Sequence, residues 1–379
     1  MIIVAGHVCL DITPELRHEV SWLPGSLSEI GPPTLALGGA VGNVGSVLGA
    51  LGVPVRRVAA IGSDPIGSLV RDLLGEHRGE ASQRPGSSVL TQVPNRATSY
   101  TLVISNPASD RILLHHPGAN EAFGGEELRA GLTRLDRHEP GLLTASYLHV
   151  GYPPVMAAIY SDGGQAFASA LAWAREQGAT ISLDMAMPDP AGPASNVDWQ
   201  AFLERTLPFV DLFAPSWTDL AALLPELPDV PDREALAHTA ESLLALGTAA
   251  VLVKLGQRGA YLRTSVDQAR SAWRGRELLS PNYAVDAVNT TGAGDATIAG
   301  YLAAWQAGAT PEHALSVASA TGACSVAGLD AATCVPPLAE IERRLGTGWR
   351  RTEATWFGSG DADASGIVRG PDDARLRAP

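Results

Sequence analysis

The stretch VNTTGAGDATIAGYLAAW, Val288–Trp305, sets a Thr-Thr-Gly-Ala-Gly-Asp run directly before a long apolar, Ala-rich segment. The residues ahead of it, YAVDAV (Tyr283–Val288), alternate and carry β-branched side chains, which predicts a strand. Behind it, Ile298, Tyr301, Leu302 and Trp305 recur three and four apart, which predicts a helix. The glycines then occupy a strand-to-helix turn, where unpaired N–H groups and the helix dipole attract an anion. Asp295 runs against that logic, because a carboxylate repels a resting anion. It belongs there if it takes a proton from a nucleophile that attacks the anion.

The rest of the chain is globular in character. Its 379 residues are 45% hydrophobic and 18% charged, enough for one large α/β domain or two ordinary ones. A net charge of −13 argues against nucleic acid or an anionic membrane as the main partner. Cys9, Cys324 and Cys334 have no pairing or CxxC spacing, so they are expected to be buried free thiols. The opening MIIVAGHVCLDI lacks a basic n-region and reads as a first strand, and no apolar run reaches membrane-spanning length. A cytoplasmic location is the expectation. Lys254 is the only lysine.

Strand-like runs (IIVAG, VRRVAAIG, YLHVG, TISLDM, LFAPS, AVLVKLG) alternate with amphipathic helix-like ones, which predicts a parallel, doubly wound sheet. Two regions break the alternation. Leu10–Leu37 holds β-like pieces without a helix, and TSYTLVISNPASDRILLHH reads as a hairpin turning at Asn106–Asp110. Together they predict a small projecting β-sheet, a lid. The tail from 346 to 379 is rich in Gly, Asp, Arg and Ala without periodicity and is expected to be disordered or loosely docked, with Trp349, Trp356 and Phe357 available for packing.

Several phosphate signatures are absent: there is no G-x-x-x-x-G-K-[ST], no G-x-G-x-x-G after a first strand, and no protein-kinase set. Three segments remain. In LALGGAVGNVGSVLGALG, Gly38 and Gly39 let backbone approach a ligand and Asn43 offers a donor and an acceptor to hydroxyls. Asp11, just past the first strand, is able to accept two hydrogen bonds from adjacent hydroxyls. The third is the turn ending in Asp295.

With these residues in view, the chain from Ile2 to about Leu345 resembles the ribokinase-like, or PfkB, carbohydrate kinase family. NTTGAGDATIAGYL resembles the family's C-terminal signature, and GGAVGNVGSVLGALG followed by VAAIGSDPIGSLVRDLL resembles the N-terminal one. HHPGAN and LVKLGQRGAYL also fit. The resemblance implies a three-layer α/β/α domain over 1–345, with a mainly parallel central sheet and a β-sheet lid from about 10–37 and 96–116. It implies Asp295 as catalytic base and Gly292, Ala293 and Gly294 as the anion hole for the transferring phosphoryl group. It places Asp11, Gly38, Gly39 and Asn43 on the sugar, and Lys254, Gly256, Gly259, Thr291 and Ser319 around ATP. His149 at the end of its strand is a candidate sugar contact; His115 and His116 point to opposite faces of a strand, so they are not a metal pair, and either is a candidate to face the sugar from the lid.

Three departures matter. The family's first Asp of D-T-T-G-A-G-D, which helps bind a monovalent cation, is Asn289, so little potassium activation is expected. The family's magnesium-organising N-x-x-E appears as Ser216–Asp219 (SWTD), leaving Asp219 to hold Mg2+ through water. A threonine usual in the nucleotide loop is Lys254. Lids of the family often pair between subunits, which allows a homodimer. The reading is an ATP- and magnesium-dependent kinase acting on a hydroxyl of a sugar or sugar-like molecule. Its rivals are a nucleoside kinase and a catalytically weak sugar- or nucleotide-sensing protein.

Overall fold

A computed structural model describes residues 1–18, 20–75, 88–106, 109–268, 271–354, 357, 362–363 and 365–374. Among them, ten strands form one sheet in the spatial order Val368–Arg369 (β14), Glu277–Ser280 (β13), Ala260–Thr264 (β12), Ala250–Lys254 (β11), Leu212–Phe213 (β10), Thr180–Leu183 (β9), Tyr147–Gly151 (β8), Ile2–Gly6 (β1), Val55–Ile61 (β4) and Ser88–Gln92 (β5). From β5 through β11 neighbouring strands are parallel, and β12, β13 and β14 add on antiparallel. A separate sheet of four, Thr34–Gly38 (β3), Cys9–Thr13 (β2), Tyr100–Asn106 (β6) and Ser109–His116 (β7), corresponds to the predicted lid. The tip of its hairpin, residues 107 and 108, lies outside the described residues.

Both faces of the large sheet are covered, as its near-continuous Val, Ile and Leu runs demand. Gly125–His138 (α3), Ala157–Tyr160 (α4), Gln165–Glu176 (α5), Trp199–Thr206 (α6), Trp217–Leu223 (α7) and Arg233–Ala245 (α8) share one core, built around Leu132, Phe167, Phe202 and Phe213. Gly39–Ala50 (α1), Pro65–Leu73 (α2), Ala293–Gln306 (α9), Pro311–Ser325 (α10) and Leu338–Gly346 (α11) share the other, around Val44, Leu48, Tyr301 and Ile341. Each such side chain, fully removed from water, contributes about 1.5–3 kcal/mol. The helix starts carry side-chain caps where the sequence offers them, as at Asp64, Asp198, Ser216, Asp232 and Thr310. No helix among the described residues is long and apolar enough to cross a membrane.

The topology fixes where a ligand binds. From β1 the chain builds the sheet one way through β4 and β5 and the other way from β8, so the crevice opens at the carboxyl end of β1. His7 follows β1, Tyr152 follows β8, Asp184 follows β9, Ser216 follows β10, and Lys254 closes β11.

Three expectations need correction. Tyr283–Val288 is not a strand: the chain leaves the sheet at Pro281, and this segment meets the tail through an isolated Tyr283–Arg351 bridge and an Ala284 N–H to Arg350 carbonyl bond of 2.9 Å, and the Val326 carbonyl through the Val288 N–H. The described part of the tail is docked, not loose. β14 extends the sheet beside β13, Ile367 and Asp373 are fully buried, and Arg276, only 1% exposed, donates to Asp373 at 3.0 Å and to Glu312 at 2.8 Å. Low periodicity hid this because the tail docks through single residues and not through a face; Phe357 is buried, whereas Trp356 lies outside the described residues. Finally, all three cysteines are free, but Cys334 is exposed, not buried.

Candidate active site

The loop before α9 is set by Asn289. Its side-chain oxygen accepts from the Thr291 N–H at 2.9 Å and the Thr291 hydroxyl at 2.8 Å, and its amide donates to the Leu329 carbonyl at 2.7 Å. Gly292 then turns left-handed, with φ of 75°, and an added methyl would lie 2.5 Å from the Ala331 Cβ, so only glycine fits. Helix α9 starts at Ala293. The N–H groups of Gly294 and Asp295 have no acceptor inside the helix, as its geometry requires. That of Ala293 donates back to the Thr290 carbonyl at 3.3 Å, so it is less free than the next two for the anion expected there.

Asp295 is 3% exposed and fully engaged. The Asn43 amide donates to it at 2.9 Å, and the Tyr152 hydroxyl reaches both carboxylate oxygens, at 2.9 and 2.7 Å. Burial raises its pKa above the ordinary carboxylate value, against the pull of Lys254, Tyr152 and Asn43. Tyr152 is held at φ 71° and ψ 45°, a left-handed conformation that costs a non-glycine residue about 1–3 kcal/mol and often marks a functional position.

Beside this carboxylate lies the lysine. Lys254 Nζ sits 2.8 and 2.9 Å from the two oxygens of Asp184, both partners buried. Burial pushes Asp184 up to about 7 despite Lys254, with Asp219 and Asp295 adding to the rise. Burial alone would depress Lys254, yet Asp184, Asp219 and Asp295 together raise it. The lysine, raised above its ordinary value, stays charged, and its two-pronged contact with Asp184 fits an ion pair. Asp219 is spent partly on structure, accepting from the Ser216 N–H at 2.9 Å in the cap of α7. Two buried carboxylates, Asp184 and Asp295, and the half-buried Asp219 around one lysine leave excess negative charge, which fits a site that receives a divalent cation.

The sugar-side residues gather on the other flank. Asp11 on β2 faces Gly38, where an added methyl would meet its carboxylate at 2.3–2.4 Å. Gly39, with φ of 75°, lies so close to His7 that a methyl would approach the ring Nδ1 to 2.3 Å. His149 departs from expectation: it sits inside β8, fully buried, with Nδ1 3.1 Å from the Ser182 hydroxyl, and burial with Lys254 lowers its pKa to about 3. It lies beneath the crevice, not at its surface.

On the nucleotide side, Gly256 and Gly259 hold the left-handed turns between β11 and β12, and the Asn282 amide donates to the Gly256 carbonyl at 2.7 Å. Gly294, by contrast, leaves room: an added methyl would meet Lys254 side-chain atoms at ordinary distances of 3.5–3.7 Å. Ser319 is 2% exposed inside α10, and its hydroxyl has no partner among the described residues, so it does not line an open surface. Its neighbour Ser316 instead takes Arg351 at 2.9 Å. The groups that sequence reasoning did not single out are Tyr152 and Asp184. Both stand at carboxyl ends of parallel strands, the one signal that points to them.

The family model described as pfkB family carbohydrate kinase matches residues 1–338. The ATP-dependent ribose-1-phosphate kinase of Halopiger xanaduensis is 28% identical over 351 residues, covering 88% of this chain and 94% of that protein. The Arabidopsis thaliana ribokinase complexed with ribose and ATP shares the fold, with a TM-score of 0.66 and 20% identity over 90% of this chain and 97% of that one. The phosphofructokinase-2 of Escherichia coli in complex with potassium does so with a TM-score of 0.66 and 17% identity, over 90% and 97% of the two chains.

Proposed function

The chain belongs to the pfkB family of carbohydrate kinases, phosphotransferases with an alcohol group as acceptor, and from that premise we propose that it moves the terminal phosphoryl group of ATP to a sugar hydroxyl with Asp295 as general base. The observation that carries this reading is the Tyr152 hydroxyl on Asp295: a phenolic O–H already donates to this buried carboxylate, in the way an acceptor hydroxyl would. In the reaction the acceptor hydroxyl takes up that contact on one oxygen, gives its proton to Asp295, and attacks phosphorus in line. The N–H groups of Gly294 and Asp295 stabilise charge on the equatorial oxygens. Lys254, beside Gly294, supplies positive charge at the same end. Magnesium, when bound with ATP, would neutralise phosphate charge; Asp184 and Asp219 are the carboxylates that would hold it, Asp219 through water. Closure of the lid sheet excludes water from the transfer.

The acceptor is read as a sugar, since Asp11 and Asn43 present hydroxyl-binding groups. Because Asn43 also holds Asp295, the two residues should differ in effect. Asp11→Asn is expected to raise the sugar KM, with loss of charged-acceptor hydrogen bonds worth about 1.5–3 kcal/mol, and to leave ATP affinity close to wild type. Asn43→Ala should lower kcat as well. Calorimetry with sugar and with Mg·ATP, together with steady-state kinetics, checks both; unchanged sugar affinity in Asp11→Asn would remove that residue from the sugar site.

Asn289 also bears on monovalent cations. Its amide N–H points at the Leu329 carbonyl, and the Val288 and Asn289 N–H groups both reach the Val326 carbonyl, at 2.7 and 3.1 Å. A hydrogen-bond donor thus joins two segments that a cation and a carboxylate would otherwise bridge. Rates in potassium and in tetramethylammonium salts at equal ionic strength are expected to agree. A stimulation by potassium of about tenfold, equal to about 1.4 kcal/mol, would refute this assignment of Asn289.

The lid supports a homodimer as well. Ile112 and Leu114, alternate residues of the edge strand β7, are each 51% exposed on one face of this sheet, an apolar pair that a second copy would cover.

A further inference from the structure

His7, Cys9 and His115 have no role in the transfer just described, yet they meet where the lid sheet joins the main one. His7 follows β1, Cys9 opens β2, and His115 lies next to the end of β7. Their ligand atoms all lie within 4.8 Å of one another. We propose that these three side chains form a binding site for one zinc-class divalent ion, with a fourth coordination position left for water or substrate.

Geometry and donor chemistry both point there. Two nitrogens bound to one tetrahedral zinc, each at about 2.0–2.1 Å, lie roughly 3.4 Å apart. The Nε2 atoms of His7 and His115 are separated by 3.3 Å. The other ring nitrogen of His115 is held by the Thr101 hydroxyl at 3.0 Å, the outer contact that orients a ligating imidazole and leaves Nε2 for the ion. His7 Nδ1 is buried without a partner among the described residues, and all the polar contacts of the ring, to His115 Nε2 and to the Ser99 hydroxyl at 3.5 Å, fall on Nε2, the nitrogen that faces the ion. Cys9 Sγ now donates to Asp11 at 3.3 Å and lies 3.6 Å from the Thr101 hydroxyl. On ion binding its S–H bond breaks, the sulfur–metal bond forms, and the proton leaves to solvent. Two imidazoles and a thiolate select zinc, cobalt or copper over magnesium, which separates this site from the carboxylates around Lys254.

The position has a consequence that rests on the kinase reading. The His7 ring stacks on Tyr152 with centroids 5.9 Å apart, Tyr152 holds Asp295, and Asp11 touches Cys9. An ion here occupies the sugar side of the crevice, so zinc inhibition should compete with sugar and not with ATP.

The test is a cobalt(II) titration of the full-length, metal-free chain without sugar or ATP. One equivalent is expected to bind and to show tetrahedral ligand-field bands with a thiolate charge-transfer band, all abolished by zinc. Cys9→Ser should remove the charge-transfer band, and His115→Gln, on an exposed lid strand, should weaken binding by more than about tenfold. Cys334→Ser, which alters the exposed thiol, should leave the spectrum intact. A spectrum without the thiolate band, one that survives in Cys9→Ser, or one that follows Cys334 would overturn the site and leave the trio a hydrogen-bonded network only. If Cys9→Ser fails to fold by circular dichroism, His115→Gln decides: unweakened binding there refutes the proposal. Zinc inhibition competitive with ATP would refute the sugar-side placement. Absence of turnover with every sugar would instead overturn the kinase reading and leave the cobalt spectrum as it is.

Discussion

Asp295→Asn is expected to cut sugar-dependent turnover by about two to four orders of magnitude, the range for losing a general base. Asparagine keeps the shape, and the hydrogen bond from the Tyr152 hydroxyl survives on its carbonyl oxygen. It removes one buried negative charge near the phosphates, so Mg·ATP affinity should hold or rise. Single-turnover phosphoryl transfer, read beside ATP affinity, makes the distinction. Retention of more than about a tenth of the rate would mean that Asp295 is not the base. The pH profile gives a second readout. Burial raises the Asp295 pKa, with Lys254, Tyr152 and Asn43 opposing. The base is protonated and idle below that raised value, so kcat/KM of the wild type should climb with pH along an acid limb lying above the ordinary carboxylate range. The variant should lack this limb. A wild-type limb at the ordinary carboxylate position would contradict the burial described for this side chain.

The second large effect belongs to Lys254. Lys254→Met leaves Asp184 buried without its cation, next to Asp219 and Asp295, and is expected to destabilise the fold by about 3–5 kcal/mol. The cost should depend on pH. Asp184, at about 7, has a folded pKa above its unfolded one, so the native state binds more protons in that interval and this group's contribution to stability falls as pH rises. Removing Lys254 pushes that pKa higher still. The loss is therefore smallest near about pH 5, where the carboxyl is protonated in both proteins, and largest above about pH 7. Denaturant midpoints for Lys254→Met, Asp184→Leu and the double variant complete a cycle. The double variant should regain most of the stability, because the uncompensated charge goes with its partner, while turnover stays low. Additive losses, or a loss independent of pH, would show that the pair is not an ion pair of the kind described.

Much of this site was legible in the sequence because it rests on backbone requirements. A left-handed Gly292 at the start of an apolar helix, a second glycine run before α1, and strands alternating with helices leave periodic or compositional traces. Asp295 stood out because a carboxylate is anomalous at an anion-attracting helix start. Tyr152 and Asp184 left no such trace. Each is one residue past a buried strand, and its partner lies far along the chain: 143 residues separate Tyr152 from Asp295, and 70 separate Asp184 from Lys254. Only the parallel arrangement of the strands brings these pairs together. His149 shows the opposite failure. A polar residue near a strand's carboxyl end resembles a ligand contact, but its position within β8 turns it into the sheet's interior, where Ser182 satisfies one nitrogen. The strand expected at Tyr283–Val288 failed because alternation records which faces are apolar, not whether a neighbouring edge is free to pair.

The docking of the tail bears on how the molecule is made. β14 lies at one edge of the sheet, yet it is synthesised after everything it pairs with, and Arg276 waits 97 residues for Asp373. Until those residues leave the ribosome, β13 has an open edge and a buried arginine lacks one of its two carboxylates. Domains fold from the N-terminus as they emerge, so a nascent chain here reaches a nearly complete sheet that still exposes a hydrogen-bonding edge to its neighbours. Docking of β14, not formation of the turn before α9, is then the event that seals this edge of the sheet. A chain cut just before β14 would keep every catalytic residue named here and remain prone to join, edge to edge, with another copy of itself.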